Sequence, residues 1–156
     1  MTTIMVQVTD KSHTLAALHA ACSLAQANKG DVALLNLIPV NHPGWLGSEW
    51  GNLNFTDKDR DMLKEYQCLA ESYGVHIQLS TLQAVSSVDA IVWAAECVNA
   101  EIVFAHLPPS IIPFLRRWKA WQLRRRLKQL ECGLYLSNGD GASGWIPVQQ
   151  PSVIHN

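Results

Sequence analysis

The sequence predicts an α/β fold: a five-stranded parallel sheet, doubly wound, flavodoxin-like or of the closely related adenine nucleotide alpha hydrolase-like type. Short apolar runs rich in β-formers alternate five times with longer runs of helical periodicity. One of the short runs, residues 32–40 (VALLNLIPV), is almost continuously apolar, the pattern of a strand covered on both faces. A length of 156 residues with 48% hydrophobic content suits one domain with a substantial buried core.

The first strand is expected over residues 4–8. The polar cluster Thr9-Asp10-Lys11-Ser12 then leads into a helix whose inner face is Leu15, Leu18, Cys22 and Ala25, with Asn28-Lys29-Gly30 as its stop. After the apolar strand 32–40, residues 41–55 hold three glycines, a proline, Trp45 and Trp50, too long a stretch for a simple connector and suited to a lid or contact surface. Thr56-Asp57-Lys58-Asp59 opens a second helix with an acidic first turn, and Gly74 ends it.

Residues 76–82 alternate apolar and polar, as in a strand near a sheet edge, and Ser86 or Ser87 caps a helix with Val88, Ile91, Ala95 and Val98 inside. Residues 101–106 (EIVFAH) form a fourth strand. In the loop after it, where such folds often hold a phosphate on glycines, stand Leu107-Pro108-Pro109-Ser110, with a further proline break at Pro113. A basic helix follows over about 114–130, then a fifth strand at 133–137. Residues 1–137 thus make the domain, and the Gly-, Pro- and Ser-rich residues 138–156 a tail. Strand five is expected to end the sheet, an edge that must be covered or paired.

Twelve basic residues against thirteen acidic give a net charge of -1, so no whole-chain field draws the protein to nucleic acid or an anionic membrane. The four cysteines form no CxxC pair, which argues against zinc or redox chemistry. The opening MTTIMVQVTD lacks the features of a signal peptide, and no apolar run reaches the length of a membrane span, so a cytoplasmic protein with reduced thiols is expected.

Laid out in this way, the chain resembles the universal stress protein family over residues 1–137. The resemblance is carried by IMVQVTDKSHTLAALHAACSLA, by SSVDAIVWAAECVNAEIVFAH and by the ending at residues 132–136. It implies a homodimer, here through the strand-five edge. Members that bind ATP carry Gly-x2-Gly-x9-Gly-Ser/Thr after strand four, but here the first two glycines fall at Ala105 and Pro108 and the third near Trp118 to Trp121. Proline has no N–H to give a phosphate, and tryptophan crowds its approach. The family's acidic residue at the end of strand one falls on Thr9, with Asp10 one position later. The resemblance therefore implies the branch that acts without ATP, or a divergent relative.

The thirteen residues 116–128 include seven basic ones, with Phe114, Trp118, Trp121 and Arg125 on one helical stripe and Leu123, Leu127 and Leu130 on the next. Such a helix could grip phosphates, an acidic partner or a membrane. The plainer and preferred reading is a solvated face on a helix packed by its Trp and Leu side chains, and the neutral net charge counts against nucleic acid or membrane. His19 and Cys22 have metal-ligand spacing, but two ligands are too few and Cys22 lies on the inner stripe. Ser12, Ser86 and Ser87 read as helix caps. No nucleophile elbow, HExxH or P-loop occurs, so no catalytic residue is assigned.

Two functions follow. One is a non-enzymatic universal-stress-type protein acting in stress response or regulation through protein contacts, without a cofactor, its surfaces the Trp45/Trp50 loop, the basic helix and the tail. The other is a small-ligand or nucleotide sensor (ATP included) at the strand edge, using Asp10, Val40, Arg116 and Arg117, with guanidinium groups replacing the glycine loop.

Overall fold

The computed structural model describes residues 2–39, 57–107, 112–137 and 145–147. Along the chain run β1 (Thr3–Val8), α1 (Lys11–Asn28), β2 (Asp31–Pro39), α2 (Asp57–Ser72), β3 (Ile77–Ala84), α3 (Ser87–Val98), β4 (Ile102–Ala105), α4 (Pro113–Gln129), β5 (Gly133–Ser137) and β6 (Trp145–Pro147). The spatial order is β3-β2-β1-β4-β5-β6, with β1 to β5 mutually parallel and β6 antiparallel to β5.

The α/β class and the five parallel strands agree with the expectation, and of the related arrangements it allowed, the sheet takes the order 3-2-1-4-5 and not the flavodoxin order 2-1-3-4-5. Winding proceeds outward from β1 through β2 to β3, and α3 then carries the chain back past β1 to its other side. Periodicity reveals which segments are strands and nothing about which become neighbours. β3 does lie at an edge, as its alternation indicates.

β1 is paired on both sides, Val6 standing between Leu34 of β2 and Phe104 of β4. Alternate side chains feed two separate cores. Ile4, Val6, Val32, Leu34 and Phe104 meet Leu18, Cys22, Tyr66 and Ala70 of α1 and α2, with Ala17, Ala21 and Ala25 letting α1 lie close to the sheet. Met5, Leu35, Val103 and Leu134 point the other way onto Val88, Ile91 and Ala95 of α3 and Leu123 and Leu127 of α4.

Lys29, not Gly30, is the left-handed residue that terminates α1, at φ 53°. Gly30 is required for a different reason. Its N–H donates to the Ala25 carbonyl at 2.8 Å, and a Cβ placed on it would lie 2.0 Å from the Thr2 carbonyl oxygen, which itself accepts from Asp31 N–H. Pro113, expected to break the chain, is the first residue of α4, where a missing N–H costs nothing.

The expected β5 edge is not free. Tyr135, Leu136 and Ser137 pair with Pro147, Ile146 and Trp145, so three residues of the segment taken for a tail close the sheet and leave β6 outermost. Three residues ending in a proline, set among Gly and Ser, carry too little periodicity to stand out in sequence. A homodimer formed through the β5 edge would have to displace this strand.

Gly30→Ala is expected to destabilise the protein by roughly 1–3 kcal/mol, as overpacking does; a urea midpoint equal to that of the parent would contradict the close approach. Deleting residues 138–156 uncovers β5, and concentration-dependent association should then appear in sedimentation velocity. A deletion variant as monodisperse as the full chain would show that β6 is not what protects this edge.

Candidate functional site

Because the order reverses between β1 and β4, the connections leaving these two strands diverge and open a crevice at their carboxyl ends. Thr9 and Asp10 stand at the end of β1. Asp10 is the N-cap residue of α1, but its carboxylate makes no capping bond. It accepts instead from Ser12 Oγ at 2.7 Å on one oxygen and from His13 Nδ1 at 2.5 Å on the other. The Ser12 hydrogen bond holds the Asp10 carboxyl below its ordinary pKa; burial opposes it, and the hydrogen bond and charge of His13 add to the lowering. Ser12 is therefore a ligand of Asp10 rather than the cap expected of it. Ser86 does cap α3, accepting from the Asp89 N–H at 3.4 Å.

His106 faces this group from the end of β4. Its N–H donates to the Oε1 of buried Gln7 at 2.8 Å, and its ring lies 5.4 Å from that of His13. Desolvation lowers the His106 pKa, and the charges of His13 and of Arg116, on the first turn of α4, push it the same way while Asp10 opposes them. Arg116 thus shares the electrostatic neighbourhood of Asp10. Arg117, one residue on, is exposed, and Val40 lies outside the described residues. Trp45, Trp50 and the Pro108-Pro109 turn lie outside them as well.

Beside Asp10 a cavity of about 160 Å³ is lined by Val8, Thr9, Asn36, Met62, Leu63, Tyr66 and Leu79. Thr9 Oγ1 and Tyr66 Oη are buried there without a hydrogen-bond partner among the described residues. The Thr14 hydroxyl, which accepts from Thr9 N–H at 2.8 Å, lies near enough to Tyr66 to favour its ionised form slightly, but not at hydrogen-bonding geometry; desolvation dominates and raises the Tyr66 pKa. A Lys11–Glu65 ion pair at 3.1 Å ties the start of α1 to α2 above the cavity.

Sequence reasoning missed His106 and Tyr66 as site residues, and placed Thr9 at the family's acidic position without giving it a role. His106 ends the run EIVFAH and so lies at the strand's carboxyl end, which is a usable signal; Tyr66 looks only like a core residue of α2. The His19 and Cys22 pair separates: His19 Nδ1 lies 3.0 Å from Tyr73 Oη, and Cys22 is sealed in the core, its thiol pushed up to about 11 by desolvation. Cys132 behaves likewise in the opposite core, while Cys68 and Cys97 are exposed. No group of metal-ligating side chains occurs among the described residues.

α4 departs from the preferred reading. Leu123 and Leu127 are 0% exposed and pack this helix together with Ala120, but Phe114, Trp118 and Trp121 are 76%, 49% and 46% exposed, so the aromatic stripe faces solvent. Arg125 lies over the Trp121 ring at 5.3 Å, and Arg126 pairs with Asp89 of α3.

Protonation of His106 costs stability in the folded state, because its folded pKa lies below the ordinary 6.5. An unfolded chain takes up that proton first, so the stability present above pH 6.5 is lost as pH falls through the folded value. His106→Gln should flatten the dependence of the urea midpoint between pH 7.5 and 5. An unchanged slope in the variant would place the acid sensitivity elsewhere.

No protein-family model matches the chain, and no curated protein matches it. Solved structures do. A universal stress protein in complex with cAMP superposes with a TM-score of 0.59 at 20% identity, covering 88% of this chain and 96% of that one. A universal stress protein family member from Burkholderia pseudomallei gives 0.58 at 17% identity, over 87% and 95%. The universal stress protein UspA from Lactobacillus plantarum gives 0.58 at 14% identity, over 88% and 97%. With its parallel sheet in the order 3-2-1-4-5 and helices on both faces, the chain has the universal stress protein fold.

Proposed function

We propose that the chain is a non-enzymatic regulatory protein of the universal-stress type that receives a small anionic ligand, a nucleotide for choice, in the cavity between the ends of β1 and β2 and α2, beside the switch point, and passes the state of that site on through protein contacts. The observation that carries this reading is the pair of orphaned hydroxyls, Thr9 Oγ1 and Tyr66 Oη, at the cavity beside Asp10. Buried polar groups without partners are costly, and a ligand that bonds to them recovers that cost. The cavity, about 160 Å³, is smaller than the ~300–1,000 Å³ that encloses a whole ligand, so it suits a base-sized part whose remainder lies over Asp10 and His13. Asp10 uses two of its acceptor sites on Ser12 and His13 and has others for a sugar hydroxyl. Arg116 supplies the cationic side for a phosphate.

A triphosphate wrapped by glycine amides forms no part of this proposal, because Pro108 has no N–H where the second glycine would stand. Nor does a hydrolytic reaction. Ser12 bonds to the carboxylate and not to an imidazole, so the hydroxyl–imidazole–carboxylate sequence that activates a serine is broken. The neighbour holding cAMP supports a monophosphate over ATP.

Calorimetric titration with cAMP, AMP and ATP tests the reading. Saturable monophosphate binding is expected, weakened about tenfold by Asp10→Asn and by Tyr66→Phe, the scale of one or two lost hydrogen bonds. Tyr66→Phe should also stabilise the ligand-free protein by removing an orphaned hydroxyl. Absence of binding by all three, or affinities indifferent to both substitutions, would leave the chain acting by protein contacts without a ligand.

A further inference from the structure

We infer that the outer face of α4 is a docking surface for an anionic lipid bilayer, on which the helix lies parallel to the membrane plane. No helix among the described residues is long and apolar enough to cross a membrane, so the contact is interfacial. It is independent of the crevice reading, which uses other residues.

At about 100° per residue, Phe114, Trp118 and Trp121 share one line along α4 with Arg125. Arg117, Arg124 and Lys128 form the adjoining row; the aromatic row lies opposite the fully buried Leu123 and Leu127, and the basic row flanks it on one side. The helix therefore turns its three aromatic rings to water at the apex of a convex ridge. Its length of 17 residues gives about 25 Å of such ridge. Tryptophan and phenylalanine rings flanked by arginine and lysine are the side chains that settle at the boundary of headgroups and acyl chains.

Charge selects the kind of surface. Seven of the chain's twelve basic residues lie in α4 and none of its thirteen acidic ones do, which leaves five basic against thirteen acidic residues elsewhere, a formal charge of -8. The net charge of -1 thus conceals a strong polarity. An anionic bilayer attracts α4 and repels the rest, which orients the protein with this helix down.

Two observations favour a bilayer over the alternatives. Arg125 already covers a face of the Trp121 ring, which removes that face as a platform for a nucleic-acid base and sets cation and ring side by side, as headgroup contact requires. A protein groove would need to be concave and acidic across more than two turns of helix, whereas a bilayer supplies a deformable apolar layer beneath uniform negative charge.

Full-length protein co-sedimented with phosphatidylcholine vesicles, alone or with about 30% phosphatidylglycerol, decides the matter. Binding about tenfold or more tighter to the anionic vesicles, and weakening with salt, is expected. Trp118→Ala with Trp121→Ala should lose about tenfold or more while keeping every charge, and Trp118→Phe with Trp121→Phe should retain most of the binding. Arg124→Gln with Arg125→Gln tests the electrostatic half separately should the aromatic pair prove unable to fold. Equal partition onto neutral and anionic vesicles, or a Trp-to-Ala variant that binds as the parent does, would overturn the assignment. So would a single-stranded oligonucleotide that binds more tightly than the anionic vesicles and displaces the protein from them; that result would give the surface to nucleic acid.

Discussion

The structure depends on β1 being paired at both edges and buried on both faces. Its hydrogen bonds run to β2 on one side and β4 on the other, and its alternate side chains seed both cores. Each neighbouring strand is approached by a helix from a different face, so the chain must turn in opposite directions after β1 and after β4. The crevice is the direct result of this divergence. A strand saturated in this way cannot move without disturbing both layers, which fixes Thr9, Asp10 and His106 relative to one another.

How far the sequence revealed this follows from the range of each interaction. Strands and helices are declared by periodicities of two and 3.6 residues, and the five parallel strands are found within two residues of their expected limits. Neighbour choice is a long-range matter, so the sequence left two related strand orders open and only the folded sheet selects 3-2-1-4-5. β6 escaped because three residues of irregular composition have no period. At the site, Asp10 and Arg116 could be named from their places at a strand end and a helix start, but His106 meets His13 only after β4 lies beside β1. Tyr66 looks like any apolar helix residue until its hydroxyl is found without a partner.

The two proposed surfaces are built on different principles. The crevice is small, polar and partly desolvated, so its chemistry is governed by a few hydrogen bonds and by the charges that act on His106. The face of α4 is broad and solvated, so long-range charge and the amphipathic character of Trp and Arg side chains govern it. Arg116 and Arg117 are adjacent in sequence yet belong to different surfaces, since consecutive residues of a helix point about 100° apart. α4 thereby takes part in both: the charge of Arg116 on its first turn acts on His106, and its outer face is exposed to solvent.

The distribution of the four thiols gives the molecule a built-in readout. Cys22 lies in the core beneath α1 and α2, and Cys132 in the core beneath α3 and α4, both with pKa values raised to about 11, so neither presents an appreciable thiolate at neutral pH. Cys68 and Cys97 stand at the surface. An alkylating reagent applied in a short pulse modifies two sulfurs in the native protein and gains a third or fourth only when the corresponding layer opens. Whether the two layers separate from the sheet together or one at a time is thus written in which cysteine, 22 or 132, acquires mass first.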